Sequence, residues 1–410
     1  MDIPTEEKVS LKKGIKYISL HGALGYFTAA KRYMLGLIHS GIPLTWTPMV
    51  PGDDWGMNLH PFTERRIGDP DLDSYCNRPV EYDTVIAHTP PEFYPMWRKR
   101  EAGKRLIGYT VWETDQIPPH WPPLLNMADQ LLLPCHWNKS VFRRCNVLVP
   151  IDVIPHIADV HEPTAQDTVF NIDPETFVFY TIGTWTARKG IQQTIQCYLD
   201  AFTAEDSTLL VIKTTKTGYQ QSVLTRLHRT QKLYHLLRSS LKLPNYFKFR
   251  ADADVLIQNI LRKSNRPPRI KLISDELSED AIRDLHRRGD CFVSLCHSEG
   301  WGLGAFDAAA RGKPVIITGY GGQLDYLDPA LSHLVDYDLV PVRDDHDSKN
   351  FRKEQQWAEP KISVASQFMR RVYQNPAEAR EKARVLQHRI HERFGEEAVM
   401  KRLLAALGKS

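Results

Sequence analysis

The fold of this chain is decided by residues 297–317, whose sequence is HSEGWGLGAFDAAARGKPVII. The apolar run CFVSL at 291–295 precedes this stretch and predicts a buried parallel strand. Strong helix formers follow the glycines and end at Gly312. The order of strand, glycine-rich loop, helix and strand predicts a doubly wound α/β domain. In such a loop, backbone N–H groups approach a ligand closely at the positive end of a helix, as phosphate groups require.

Two carboxylates accompany this predicted phosphate site. Glu299 lies in the loop, and Asp307 lies about one turn into the helix. Carboxylates accept hydrogen bonds from hydroxyl groups, so the pair suits the sugar and ribose of a nucleotide-sugar. The alternative is a surface glutamate and a helical aspartate that share the loop by coincidence.

The spacing Glu299-x7-Asp307 resembles the E-x7-E signature of retaining GT4-type glycosyltransferases, which have the GT-B fold. The resemblance implies that Glu299 contacts the donor sugar and that Asp307 binds the ribose hydroxyls. Here the second acid is Asp, which is shorter than Glu by one methylene group. The backbone around Gly302, Leu303 and Gly304 would add contacts to the diphosphate.

A second element opens the following domain at 177–190, with a strand, a glycine and the pair Arg188-Lys189. It resembles the GT4 element G-R-L-x3-K-G, in which an arginine and a lysine neutralise the donor diphosphate. Lys189 and Gly190 match this pattern, whereas Thr184 takes the arginine position and Arg188 is the candidate substitute. Lys189 is therefore predicted to be both catalytic and donor-binding, with Arg188 beside it. An exposed pair of cations is the alternative.

The N-terminal residues form a strand, a glycine turn and an amphipathic helix, with glycines at 22 and 25. These glycines do not match the dinucleotide fingerprint G-x-G-x-x-G. In GT-B enzymes the equivalent loop faces the donor diphosphate, which implies this role for Gly22 and Gly25; a plain tight turn is the alternative.

Polar residues also follow two further predicted strands of the first domain. His88 ends the strand at 84–87, and the resemblance implies a catalytic contact with the donor sugar there, against a purely structural histidine. Glu113 and Asp115 follow the next strand, where open α/β sheets bind ligands. They are candidates for the same cleft, with solvated turn residues as the alternative.

The predicted fold class is α/β, a GT-B fold of two Rossmann-like doubly wound domains that face each other across a cleft. Residues 1–165 form the acceptor domain, 166–385 form the nucleotide-sugar donor domain, and 386–410 form a C-terminal helix that packs back on the first domain. Residues 45–80 are rich in proline and lack periodicity, so a long loop near the cleft mouth is expected there.

Composition limits the classes of partner. The chain has 410 residues, 53 Lys and Arg against 49 Asp and Glu, and a net charge of +4, which is too mild to indicate nucleic acid. The six cysteines form no CxxC pair, so neither zinc spacing nor a disulfide framework is visible. Two DxD patterns, at 69–73 and 252–254, do not follow a buried strand, so no metal or other cofactor is expected.

The sequence predicts a cytoplasmic protein. The acidic start of the chain lacks the apolar core of a signal peptide, and no apolar run approaches the ~20 residues that span a bilayer. Seven Lys or Arg and no acid lie between Arg226 and Arg250. This segment is a candidate for peripheral contact with the inner face of the plasma membrane, and a solvated helix is the alternative.

The predicted function is metal-independent, retaining transfer of a hexose from a nucleoside-diphosphate sugar to a glycan or lipid-linked acceptor in cell-surface polysaccharide synthesis. GDP- and UDP-sugars are both candidate donors, with GDP-mannose slightly favoured. One rival is a nucleotide-sugar-binding subunit of the same fold without turnover, supported by the departures at Thr184 and Asp307. Another is a phosphorylase-like enzyme, for which no pyridoxal-bearing lysine can be identified.

Overall fold

The computed structural model describes residues 13–22, 25–51, 59–163, 172–219, 250–262, 264–344, 347 and 349–409. These residues build two α/β domains, each with a central sheet, which confirms the predicted GT-B fold class. Of the basic segment between Arg226 and Arg250, residues 226–249 lie outside the described residues. The first twelve residues of the chain also lie outside them.

The N-terminal domain has a seven-stranded sheet in the order β3-β2-β1-β4-β5-β6-β7. All its strands are parallel except β3, which pairs antiparallel with β2. The strands are β1 (Gly14–Leu20), β2 (Leu44–Pro51), β3 (Leu59–Pro61), β4 (Tyr82–His88), β5 (Arg105–Tyr109), β6 (Gln130–Leu133) and β7 (Ile151–Val153). The helices are α1 (Gly25–His39), α2 (Tyr94–Arg100), α3 (Trp121–Leu125) and α4 (His136–Arg144).

The C-terminal domain has a six-stranded parallel sheet in the order β12-β9-β8-β13-β14-β15. Its strands are β8 (Phe177–Ile182), β9 (Thr208–Lys213), β12 (Arg269–Ile273), β13 (Cys291–Ser294), β14 (Val315–Thr318) and β15 (His333–Val335). Two antiparallel pairs lie outside it: β10 (Thr217–Tyr219) with β11 (Arg250–Asp252), and β16 (Tyr337–Pro341) with β17 (Gln356–Pro360). The helices are α5 (Ile191–Ala201), α6 (Ala253–Leu261), α7 (Glu279–Arg288), α8 (Leu303–Ala310), α9 (Ile362–Gln374), α10 (Pro376–Phe394) and α11 (Glu396–Leu407).

Burial explains why the motif region folds as it does. Every residue of β13 is buried because helices cover both faces of a parallel sheet. The alanines of α8 are also buried, and their small side chains let this helix lie close to the neighbouring elements. The glycine-rich loop is therefore held between two rigid elements at the carboxyl end of the sheet, where open α/β folds bind ligands.

The expectation of a long loop over residues 45–80 is wrong in its first part. Residues 44–51 form strand β2, which is buried along most of its length although it contains Pro48 and Pro51. The short β3 pairs only with Met49 to Pro51, so β2 lies almost at the edge of the sheet. A strand at this position tolerates the missing N–H of proline.

The two domains are in close contact. Gly300 of the glycine-rich loop lies so near the strand exit at Val111 and Trp112 that a Cβ added there would overlap Val111 and stand 2.9 Å from the Trp112 carbonyl oxygen. On the opposite side, Met400 of the C-terminal helix α11 lies against Gly36 of α1. No helix among the described residues is long and apolar enough to cross a membrane.

Candidate functional site

The conformation of the glycine-rich loop is determined by Gly302 and by two hydrogen bonds to neighbouring segments. Gly302 has φ +83°, a left-handed conformation that favours glycine, and directly precedes helix α8. Its carbonyl oxygen accepts a 3.0 Å hydrogen bond from the Tyr326 hydroxyl. The Gly322 N–H donates to the Glu299 carbonyl at 2.8 Å. This hydrogen bond connects the loop to a second glycine turn, which contains glycines at 319, 321 and 322. Leu303 and Gly304 therefore form the first turn of α8, whose N–H groups point out of the helix end.

A cluster of buried charges surrounds Glu299. Lys189 Nζ lies 2.6 Å from Glu299 Oε1, and Arg188 lies 3.3 Å from Glu299 Oε2. Arg188 also contacts Glu113 Oε1 at 3.2 Å, so its guanidinium joins carboxylates of the two domains. The structure therefore brings together the predicted residues Lys189, Arg188 and Glu299 and adds the candidate Glu113.

The two carboxyl groups of this cluster have opposite electrostatic environments. Burial alone would raise the pKa of Glu299, but the charges of Lys189 and Arg188 outweigh it and lower the pKa. For Glu113, burial dominates and raises the pKa although Arg188 opposes the shift. Glu299 therefore loses its proton at lower pH than an ordinary glutamate, whereas Glu113 keeps its proton to higher pH.

The backbone holds the two cations in place. Gly190 directly follows Lys189, caps helix α5 and has φ +57°. A Cβ at Gly190 would overlap the Leu295 carbonyl oxygen at the end of β13. The Arg188 carbonyl accepts a 2.8 Å hydrogen bond from the His297 N–H. The Arg188-Lys189 segment is thus fastened to the strand that leads into the glycine-rich loop.

The first loop of the N-terminal domain faces the same region. A Cβ on Gly25, at the start of α1, would stand 3.5 Å from the Leu303 side chain at the start of α8. The N-termini of α1 and α8 are therefore neighbours across the cleft. Gly22 has φ +119° and open space around its Cα.

His88 lies at the carboxyl end of β4, deep in the N-terminal domain. Its Nδ1 is 2.8 Å from the Tyr17 hydroxyl, and its ring packs on Tyr109 with 4.1 Å between ring centroids. Burial, assisted by the nearby His156, lowers the pKa of His88 well below its usual range. The imidazole is neutral at pH 7, so it can act as a hydrogen-bonding group but not as a cation.

Asp307 has a partner that the sequence interpretation missed. Arg32 of helix α1 approaches it as a fork, with Nη1 2.8 Å from Oδ1 and Nη2 2.9 Å from Oδ2. The two residues stand 275 positions apart in the chain. A signal was nevertheless present, because Lys31 and Arg32 interrupt an otherwise apolar stretch of α1. Charged residues on a buried helix face indicate a buried partner.

Asp69 and Asp71, from one of the DxD patterns, pair with Lys31 instead of forming a separate site. Lys31 Nζ lies 3.2 Å from Asp69 and 2.7 Å from Asp71. The same ammonium group lies 3.5 Å from Glu279 at the start of α7 in the other domain. Through Lys31, these three carboxylates contribute to the contact between the domains.

Comparison with known proteins relates part of this chain to a glycosyltransferase family. Residues 250–403 match the model of a family described as family 4 glycosyltransferases in conflict systems. The match includes the glycine-rich loop, Glu299 and Asp307. No curated protein matches the sequence.

Solved structures with this fold include several carbohydrate enzymes. Sucrose-phosphate synthase from Thermosynechococcus elongatus matches with a TM-score of 0.65 at 14% identity, over 97% of this chain and 99% of that chain. An E. coli structure described as trehalose-6-phosphate bound with UDP-2-fluoro glucose matches with a TM-score of 0.57 at 11% identity, over 97% and 99%. A TarM mutant from S. aureus, in complex with fondaparinux, α-GlcNAc-glycerol and UDP, matches with a TM-score of 0.51 at 12% identity, over 78% and 55%.

At these identities the structural likeness shows the fold alone. The resemblance to GT4-type glycosyltransferases is confirmed: residues 250–403, less than half of the chain, match a family 4 glycosyltransferase model, and the chain has the GT-B fold.

Proposed function

We propose that this protein transfers a hexose from a nucleoside-diphosphate sugar to a glycan or lipid-linked acceptor, with retention of anomeric configuration and without a metal ion. The donor would bind to the C-terminal domain at the loop that contains Glu299, and the acceptor would bind mainly to the N-terminal domain. UDP- and GDP-sugars are the candidate donors. Two of the similar structures contain UDP or a UDP-sugar analogue, which makes UDP the first nucleotide to test.

The cluster of Lys189, Arg188 and Glu299 beside the start of α8 carries this proposal. When the sugar leaves the donor, negative charge grows on the diphosphate. Two fixed cations and the N–H groups of a helix end stabilise that charge most where water is excluded. Glu299 holds both cations through its carboxylate and would turn to the sugar hydroxyls when the diphosphate replaces it.

Glu113 provides the acceptor side of the proposed reaction. It belongs to the N-terminal domain, and Arg188 lies between it and Glu299. An acceptor hydroxyl bound near Glu113 would face the donor sugar. In the front-face mechanism that the GT4 resemblance implies, this hydroxyl attacks the anomeric carbon on the side from which the phosphate leaves, and its proton passes to the phosphate.

The nature of the acceptor is a separate part of the proposal. A glycan or lipid-linked intermediate of cell-surface polysaccharide synthesis is the acceptor class expected from the sequence. The matched family is described by its occurrence in conflict systems. This description favours testing acceptors beyond envelope polysaccharides.

The alternative is a binding subunit with this fold that no longer transfers sugar. Its support is Thr184 at the position of the family's arginine, together with Asp307, whose two oxygens already accept hydrogen bonds from Arg32. Such a protein would bind nucleotide-sugars without consuming them. Binding and turnover therefore have to be measured separately.

The test compares the thermal stability of wild type and Lys189→Ala with UDP-, GDP-, ADP- and CMP-sugars, with and without EDTA. A ligand at about 100 times its dissociation constant stabilises a protein by about 2.7 kcal/mol, a readily measured shift. Lys382→Ala is the matched control, because Lys382 also pairs with a glutamate but lies on α10. Release of the free nucleoside diphosphate is followed in the same samples.

We expect one diphosphate sugar to stabilise wild type and Lys382→Ala but not Lys189→Ala, with no effect of EDTA. Nucleotide release in wild type would support the transferase, and stabilisation without release would favour the binding subunit. The proposed donor site is wrong if no diphosphate sugar binds, or if binding requires a divalent metal.

A further inference from the structure

The pairing of Arg32 with Asp307 brings a residue of the N-terminal domain into the predicted donor site. Both guanidinium nitrogens face both carboxylate oxygens, at 2.8 and 2.9 Å. The side chains are 15% and 11% exposed, so the pair is largely shielded from water. Two parallel hydrogen bonds of this kind fix the direction of a carboxylate as well as its charge.

Arg32 is itself held by the segment that joins the two domains. Its Nη1 donates to the Ile157 carbonyl at 3.1 Å, and its Nη2 lies 3.8 Å from Asp159. Asp159 also accepts from Arg283 at 2.9 Å and from Arg311 at 3.0 Å. The Arg32 guanidinium therefore has little freedom to rotate, and the orientation of Asp307 depends on both domains.

The Arg32 fork leaves Asp307 able to accept further hydrogen bonds. An ionised carboxylate has about four lone-pair sites, and the two hydrogen bonds from Arg32 use two of them. The remaining two suit a ligand that donates two adjacent hydroxyl groups. The ribose of a nucleotide is such a ligand, through its 2′ and 3′ hydroxyls.

We propose that Arg32 is a positioning residue for ribose recognition: its fork holds the short Asp307 side chain in the direction that receives the ribose hydroxyls. This inference rests on the proposed function, because it requires a nucleoside diphosphate to bind at this site. It assigns to helix α1 of the acceptor domain a part in discriminating the donor, in addition to the contacts made by the C-terminal domain. Arg32 acts through Asp307 and does not itself touch the ribose.

The experiment measures dissociation constants for UDP, GDP and ADP and for the corresponding 2′-deoxynucleoside diphosphates by calorimetry. The variant is Arg32→Lys, which keeps the positive charge but replaces the planar fork by a single ammonium group. Arg32→Gln, which keeps hydrogen-bond donors but loses charge and fork, is a second variant in case the first does not fold. Arg370→Lys is the matched control, since Arg370 of α9 forms the same kind of fork with Asp206 and takes no part in the cluster around Arg32.

For the nucleotide that binds, we expect wild type and Arg370→Lys to prefer the ribose form by about tenfold, the effect of one hydrogen bond to a charged acceptor. Arg32→Lys should reduce this ratio to about twofold or less. A purely structural role of Arg32 would weaken both forms equally and leave the ratio unchanged.

The outcomes separate this inference from the proposed function. If no nucleoside diphosphate binds to wild type, both fail. If wild type binds the ribose and deoxyribose forms equally, or if Arg32→Lys and Arg32→Gln keep the wild-type ratio, the role of Arg32 is wrong while the donor site stands.

Discussion

At the scale of single residues, Glu299 has two functions that oppose each other. Its carboxylate pairs with Lys189 and Arg188, the cations that the proposed function assigns to the diphosphate. In the proposed reaction a nucleotide therefore competes with Glu299 for these cations, whereas the donor sugar uses the same carboxylate. Substitution of Glu299 should separate binding of the leaving nucleotide from transfer of the sugar.

We expect Glu299→Gln to bind UDP or GDP about tenfold more tightly than wild type, because removing a charge within 4 Å of two cations changes their interaction with a diphosphate by a kilocalorie or more. Turnover of the nucleotide-sugar should fall at least a hundredfold. Calorimetry with the free nucleotide and a nucleotide-release assay measure the two effects. Glu113→Gln is the control, and it should tighten binding less because, of the two cations, Glu113 pairs with Arg188 whereas Lys189 pairs with Glu299. Weaker nucleotide binding by Glu299→Gln would contradict this competition.

Buried histidines make the stability of the protein depend on pH. Burial lowers the pKa of His156 and of His286 to about 3, against an ordinary value of 6.5. The unfolded chain thus binds more protons than the folded chain between pH 6.5 and 3, and stability falls as pH decreases through this range. At pH 5 each histidine should cost about 2 kcal/mol relative to pH 7.

Urea unfolding of wild type and His286→Gln at pH 7 and pH 5 tests this prediction. His286→Gln should reduce the difference in unfolding free energy between the two pH values, whatever its effect on stability at pH 7. His388→Gln, at an exposed position of α10, should leave the difference unchanged. An equal pH dependence in wild type and His286→Gln would show that His286 is not kept neutral by burial.

The sequence alone indicates candidate site residues that belong to short local patterns. Glu299 and Lys189 stand in short patterns of glycines and cations, and the structure places their side chains 2.6 Å apart. Arg32 could not be assigned in this way, because its partner Asp307 is 275 residues distant and one sequence contains no record of spatial pairing. Glu113 was recognised as a candidate from its place after a strand, but its contact with Arg188 depends on how the domains meet.

At the scale of elements, glycines in left-handed conformation determine where the site loops turn. Gly190 combines φ +57° with direct contact between its Cα and the end of β13. Gly41, at the end of α1, has φ +71° but open space around it. A comparison of alanine at these two positions separates the cost of the backbone conformation from the cost of the contact.

We expect Gly41→Ala to lower the unfolding free energy by about 1 kcal/mol, the cost of a left-handed residue with a Cβ. Gly190→Ala should cost about 3 kcal/mol or more and should abolish nucleotide binding, because relief of the overlap with Leu295 moves Lys189. Chemical unfolding and the thermal-shift assay measure these effects. Similar stability and retained nucleotide binding in both variants would show that the β13 contact does not position Lys189.

Strand β2 shows why some elements were not predicted. Its two prolines and its lack of alternation resemble a loop, and the sequence alone does not reveal that it pairs with β1 on one side and only a short β3 on the other. The strand is defined by tertiary position, since burial of nearly every residue removes the period-two pattern. By contrast, the helix start at Ser278 has a purely local signal, a serine followed by two acids, and the Ser278 hydroxyl caps α7 by accepting from the Ala281 N–H.

At the scale of the whole molecule, the two domains meet at Gly300, whose backbone conformation does not require a glycine. Gly300 has no left-handed φ, yet a Cβ at this position would overlap Val111 of the other domain and stand 2.9 Å from the Trp112 carbonyl. The same contact region contains Arg188 and Glu113. Because the three nearest atoms all belong to Val111 and Trp112 across the interface, a side chain at Gly300 should push the domains apart without disturbing the fold of either one.

We therefore expect Gly300→Ala to raise the radius of gyration in solution scattering by about 1–2 Å, relative to the roughly 22 Å of a compact chain of this length. The circular dichroism spectrum should not change. Gly319→Ala is the matched control, because it lies in the second glycine turn with its nearest contacts at 3.4 Å. Nucleotide binding in Gly300→Ala should weaken only as far as the Arg32–Asp307 contact between the domains is lost, since Lys189 and Glu299 belong to one domain. Sugar transfer should fall further, because the proposed reaction uses Glu113 from the other domain. Equal scattering curves and equal transfer rates for the two variants would mean that the close contact at Gly300 is not needed for catalysis.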